Sequence, residues 1–153
     1  MKHTFSLALF LLLFIGQSFA QLAADKYVNV NRSGVIIKGY DPVAFFTESK
    51  AVKGSENLTS NYNGAIYQFA SASNKAAFDA HPEKYKVQFG GFCAWAVSNG
   101  YTASIDIDTW AIQEGRLIFN YSSRVKAKWD KDANENLKKA DKNWPEIAEK
   151  KLN

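Results

Sequence analysis

The sequence predicts a small α+β domain made of two β-hairpins with surrounding helices. Three observations predict it. The turn pairs Asn63-Gly64 and Glu114-Gly115 each separate short runs with alternating apolar residues, the pattern of a hairpin with one buried face. Elsewhere apolar residues recur at threes and fours, as in helices laid on a core. A single cysteine rules out an intrachain disulfide, so stability must come from packing, for which four Trp, seven Tyr and the seven of eleven Phe beyond residue 20 are available.

The chain begins with the short basic stretch Met1-Lys2-His3, followed by an almost wholly apolar run from Phe5 to Ile15. Gly16-Gln17 breaks that run, and Ser18-Phe19-Ala20 places small residues where a signal peptidase reads. This pattern predicts a signal peptide over residues 1–20, cleaved after Ala20. The apolar core is shorter than the ~20 residues of a spanning helix. No later stretch is apolar enough to span, so no membrane span is expected after cleavage. The expected location is exported, either periplasmic or extracellular. Residues 21–34 read as a loosely held polar lead-in and residues 35–153 as the domain.

Within the domain, Val35-Ile36-Ile37 reads as a short strand. Asp41 can cap a helical turn whose first position is Pro42, and that turn runs to Phe46. Ala51 to Glu56 reads as a polar loop. Folding about Asn63-Gly64 sets Tyr62 opposite Ala65, Ser60 opposite Tyr67 and Leu58 opposite Phe69. Ser71 or Ser73 can cap a helix to about Ala80, with Ala76, Ala77 and Phe78 turned inward. His81-Pro82 ends it, and Pro82 to Tyr85 reads as a further helical turn. Gly90-Gly91 leads into the apolar run Phe92 to Val97, read as a buried helix ending at Asn99-Gly100, with a short strand as the alternative. The second hairpin sets Ile112 opposite Leu117 and Trp110 opposite Phe119. Val125, Trp129, Ala133, Leu137, Ala140 and Trp144 define one amphipathic helix, and Pro145 opens a last short piece. No internal repeat is apparent.

The formal net charge is +4, and the basic surplus lies from Arg124 onward. Both signs alternate there, which predicts a solvated helix face and no nucleic-acid stripe.

The order Gly64, Tyr67, Phe69, Ser71, Phe78, Pro82 and Tyr85, with Asp41-Pro42-Val43 upstream, resembles the YHS domain family. The flanking Gly39 to Phe46 and Gly90 to Ala96 look like its exported, single-domain branch. The resemblance implies a YHS-like α+β unit of hairpin plus helix. It also implies heavy-metal binding through cysteines, but the positions that would carry those thiols hold Ala44, Ala70 and Asn74 here. The naming Tyr-His-Ser tripeptide is absent too.

The residues left for chemistry are few. Cys93 is the only thiol, His81 the only imidazole after the signal peptide, and Met1 the only thioether. Gly90-Gly91 opening a helix can favour a Cys93 thiolate, a soft donor suited to copper or zinc. His81 and Asp41 are the residues that can join it in a metal site, although zinc sites usually need three or four donors. The first expectation is therefore an exported module that binds a metal ion or small ligand and is not an enzyme. Two alternatives stay open: a thiol-dependent redox or nucleophilic enzyme using Cys93, and a structural or protein-interaction domain in which Cys93 is buried. No phosphate loop, zinc-protease helix or serine-nucleophile elbow is present. A cysteine protease is disfavoured because no His follows His81.

Overall fold

A computed structural model describes residues 26–152. The expected signal peptide, its cleavage point and the start of the lead-in lie outside the described residues, as does Asn153. Besides two short 3-10 turns at Ile37–Gly39 and Phe89–Gly91, the described residues form, in order, α1 (Pro42–Thr47), β1 (Ser55–Tyr62), β2 (Ala65–Phe69), α2 (Ala72–Ala80), α3 (Pro82–Tyr85), α4 (Ala94–Ser98), β3 (Asp106–Gln113), β4 (Arg116–Asn120), α5 (Ser123–Asp130) and α6 (Ala133–Leu152). The strands form two antiparallel two-stranded sheets, β1-β2 and β3-β4. The fold is thus α+β, with two hairpins among helices. Among the described residues, no helix is long and apolar enough to cross a membrane.

Both hairpins turn where the sequence predicts, but each strand pair contains an irregularity. Tyr62 pairs with Ala65 and Ser60 with Tyr67, as expected. The register then shifts between Ser55 and Thr59, so Phe69 lies opposite Ser55 and not Leu58. In the second hairpin Ile112 pairs with Leu117, and a shift between Asp106 and Ala111 displaces Trp110 from Phe119. A bulge inserts unpaired residues that counting by twos from the turn cannot register. β1 also begins inside the segment read as loop.

The remaining differences have local causes. Val35 to Ile37 is not a strand: Val35 and Ile36 make isolated bridges to Ile66 and Val30, and Ile37 enters the left-handed region at φ 41°. Its apolar residues are there to be buried, not to pair in a ladder. The lead-in is held where it is described. Asn29 N donates to Gly90 O at 2.8 Å, and the Tyr27 ring stacks on Phe92 at 4.8 Å. In α2 only Phe78 is fully inward; Ala76 is exposed. α4 begins at Ala94, which leaves Cys93 as its N-cap and not a residue within it. The expected single C-terminal helix is two, broken at Lys131-Asp132, and Pro145 lies inside α6 without ending it. Trp144 and Ala148, buried on either side of that proline, hold α6 to the domain.

The core falls into two clusters. One gathers Phe45, Tyr67, Phe69, Phe78, Leu117 and Phe119. The other gathers Val97, Ile118, Trp129, Leu137 and Trp144 under the last two helices.

Candidate functional site

The three residues singled out from sequence are held in three separate places. Asp41 is fully buried as the N-cap of α1. Its Oδ1 accepts from Val43 N at 2.8 Å and Ala44 N at 3.3 Å, and its Oδ2 accepts from Ala70 N and Asn74 Nδ2, both at 2.8 Å. Four donors close the carboxylate, which ties α1 to the β2-α2 connection. Pro42 at the first helical position needs no hydrogen bond of its own, so the local sequence fits the cap it makes.

Cys93 is 1 % exposed. Its N donates to Ala103 O at 3.0 Å, and its Sγ lies 3.8 Å from Asn120 Oδ1. Burial pushes the thiol pKa up, opposed by the backbone amides of Ala96, Tyr121 and Trp95 that face the sulfur. Burial wins, so the thiol is held in its neutral form and not as the thiolate that metal binding or nucleophilic attack requires. Asn120, also fully buried, accepts from Trp95 N at 3.1 Å through Oδ1, while its Nδ2 has no partner. The sequence reading passed over Asn120. The signal was an amide closing the apolar run Leu117-Ile118-Phe119.

His81 is exposed between α2 and α3, with its backbone N bonded to Ala77 O and Phe78 O. It caps a helix end and approaches neither Cys93 nor Asp41 through any bond of its ring among the described residues. Among those residues no three of His, Cys, Asp and Glu come together in a group able to hold a metal ion.

A cleft of about 500 Å³ lies between the first hairpin with α3 and the second hairpin with α6. Its polar wall carries Glu83, Lys86, Arg116 and Asp141, and its apolar wall carries Tyr67, Phe89 and Trp144. Lys86 pairs with Glu83 at 2.9 Å, and Glu83 also accepts from Tyr62 Oη. Arg116 grips Asp141 in bidentate fashion at 2.9 and 2.6 Å. The guanidinium lies over the Phe89 ring at 5.5 Å, and its buried Nε has no partner among the described residues. Sequence reasoning missed this site because its residues are gathered from separate segments spread from Val28 to Trp144.

Residues 43–88 match the family model of the YHS domain. This stretch of the chain is similar to the YHS domain. No curated protein and no solved structure matches it significantly. The three positions where the resemblance would place the family's thiols converge: Ala44 N, Ala70 N and Asn74 Nδ2 all donate to the Asp41 carboxylate. The residues there offer two methyl groups and an amide where a soft metal would need thiolates, and both carboxylate oxygens are already engaged. The family's association with metals is compatible with a metal-binding module, but the residues at this place do not fit a cysteine-held metal.

Proposed function

We propose that this chain is an exported, non-catalytic YHS module that binds a small organic ligand in the cleft, with Cys93 serving as a core residue. Export rests on the three-part pattern of residues 1–20. The observation that carries the binding reading is Arg116: a guanidinium set over an aromatic ring in a charged cleft, with one buried N–H left without an acceptor. Buried donors are normally paired, and an unpaired one calls for an explanation. Two cations and two acids beside Phe89 and Trp144 suit a molecule with an apolar body and a head that both accepts and donates hydrogen bonds.

Backbone amide NMR spectra test this with three probes sharing one ring: free phenylalanine, phenylacetate and phenethylamine. The zwitterion is expected to shift the amides of Phe89, Gly90 and Arg116 most, and Arg116→Met to abolish the shift. Silence of these amides toward all three probes sinks the cleft reading. Titration with Cu(I) and Zn(II), wild type against Cys93→Ser, is expected to show no stoichiometric site dependent on the thiol. A Cys93-dependent site would restore the metal reading. Rapid reaction with a thiol reagent well below the free-cysteine pKa of about 8.5 would restore the thiol enzyme. Mass spectrometry of the exported product is expected to find Gln21 as its first residue.

A further inference from the structure

We propose that residues 87–130 are a second YHS unit, a tandem copy of residues 35–79, in which Cys93 stands in the place of Asp41. The family match covers only the first. The elements recur in one order, left-handed turn, short helix, hairpin and capped helix, and their bonds recur with them. Ile37-Lys38-Gly39 and Phe89-Gly90-Gly91 each run three consecutive residues at positive φ, 41°, 54° and 75° in the first and 53°, 57° and 79° in the second. Such runs are rare outside glycine, so two of them preceding two short helices are hard to attribute to chance. Isolated parallel bridges join Val35 to Ile66 and Val87 to Leu117. Ile36 N bonds Ile66 O at 3.1 Å as Gln88 N bonds Leu117 O at 2.9 Å. Asp41 N bonds Val52 O at 2.9 Å as Cys93 N bonds Ala103 O at 3.0 Å.

The downstream helices repeat the same way. Ser71 caps α2 through Asn74 N and Ser122 caps α5 through Val125 N. Lys75 pairs with Asp79 at 2.6 Å and Lys126 with Asp130 at 2.7 Å. Phe78 and Trp129, each 1 % exposed, anchor the two helices. The pattern Ser-x-x-x-Lys-Ala-x-aromatic-Asp runs from Ser71 to Asp79 and again from Ser122 to Asp130. The internal repeat not apparent on a first reading of the sequence is therefore present.

The copy accounts for the surroundings of Cys93. Val43 N, Ala44 N and Ala70 N hold the Asp41 carboxylate. Of their counterparts, Trp95 N donates instead to Asn120 Oδ1 at 3.1 Å, an oxygen 3.8 Å from the Cys93 sulfur, and the backbone amides of Ala96 and Tyr121 oppose the burial that raises the thiol pKa. Beside them the fully buried Asn120 keeps an unpartnered Nδ2. The second unit thus repeats the amide positions that surround the Asp41 carboxylate, with a thiol and the Asn120 amide among them in place of the carboxylate.

Urea unfolding of the purified protein carrying Cys93→Asp, Cys93→Asn or Cys93→Ala tests this. With a retained socket, Cys93→Asp folds at pH 7.5 with a midpoint at or above those of the Asn and Ala variants. Its lead shrinks toward pH 4.5, because a carboxylate held by amides must be protonated. Failure of Cys93→Asp to fold at pH 7.5, or a midpoint below Cys93→Asn that recovers on acidification, would mean an ordinary apolar pocket and overturn the equivalence. Either result is independent of what the cleft binds.

Discussion

The two halves of the molecule enclose their first short helix in the same backbone frame and fill the frame differently. Around Asp41 every donor finds a carboxylate oxygen, and Asn74 adds a fourth. Around Cys93 the corresponding Trp95 amide turns to Asn120 Oδ1, burial raises the thiol pKa, and among the described residues the Asn120 Nδ2 goes without a partner. The match to the YHS domain, residues 43–88, lies in the first half. The frame depends on turn glycines, a serine cap and an aromatic anchor, whereas the occupant of the frame is free to change. The frame and its occupant are therefore separable, and the fold can stand here without the thiols that the family resemblance implies.

Removing the anchors should produce the largest effects. Phe78 packs against Tyr67 at 4.6 Å, Phe69 at 5.2 Å and Tyr62 at 5.9 Å. Trp129 is equally buried and donates from Nε1 to Gln113 Oε1 at 2.9 Å. Phe78→Ala and Trp129→Ala are each expected to cost about 3–5 kcal/mol in urea unfolding, as deletions of buried aromatic side chains do. Loss of less than half that from one alone would break the equivalence of the two helices. Asp41→Ala comes next. It removes a helix cap, typically about 1 kcal/mol, and strands buried donors at about 1–3 kcal/mol each. A loss of about 3 kcal/mol is expected, well above that for Cys93→Ala in the other frame.

Much of this architecture is legible in the sequence. Asn63-Gly64 and Glu114-Gly115 announce both hairpins, and Asp41-Pro42 and the Ser71 cap announce two helix starts. All of these are short-range signals carried by neighbouring residues. What escapes is long-range. The bulges in β1 and β3 leave the turn residues unchanged and alter only what lies opposite. The break at Lys131-Asp132 hides inside a continuous apolar spacing. The repeat is masked because its two copies share single residues at caps and turns while their cores differ, as Phe69 against Asn120 illustrates. The candidate site was legible as a set of residue types but not as a place. Cys93, His81 and Asp41 are the residues chemistry would choose, yet the fold buries one, caps with another and leaves the third at the surface.

Cys93 supplies the next smaller effect and a sign. Burial raises its folded-state pKa above the unfolded value. The neutral thiol is favoured by folding, so its contribution is fully present below the unfolded pKa of about 8.5. That contribution is lost as pH rises above it, since the unfolded chain then holds fewer protons. Wild type is expected to lose stability relative to Cys93→Ala between pH 8 and pH 10 in paired urea titrations. An equal pH dependence in the two proteins would mean that the sulfur titrates as freely folded as unfolded, which a sealed frame forbids.

The smallest effect separates the two helix ion pairs. Lys75–Asp79 and Lys126–Asp130 share spacing and nearly the same length. Asp79 also accepts from Ser60 Oγ, whereas the counterpart of Ser60 in the second hairpin is Ala111, which has no hydroxyl. Lys75 first and Ser60 second hold the Asp79 carboxyl below its usual range. Its stabilisation is therefore present above the unfolded carboxyl pKa of about 3.9 and fades as pH falls through the lower folded value. Both carboxylates are well exposed and screened by solvent, so the expected cost of Asp79→Asn is about 0.5 kcal/mol or less. Asp130→Asn should cost less still, and Ser60→Ala should bring Asp79→Asn down to match it. If Asp79→Asn and Asp130→Asn prove equal with Ser60 in place, the hydroxyl contributes nothing and the two halves are more alike at their surfaces than at their buried caps.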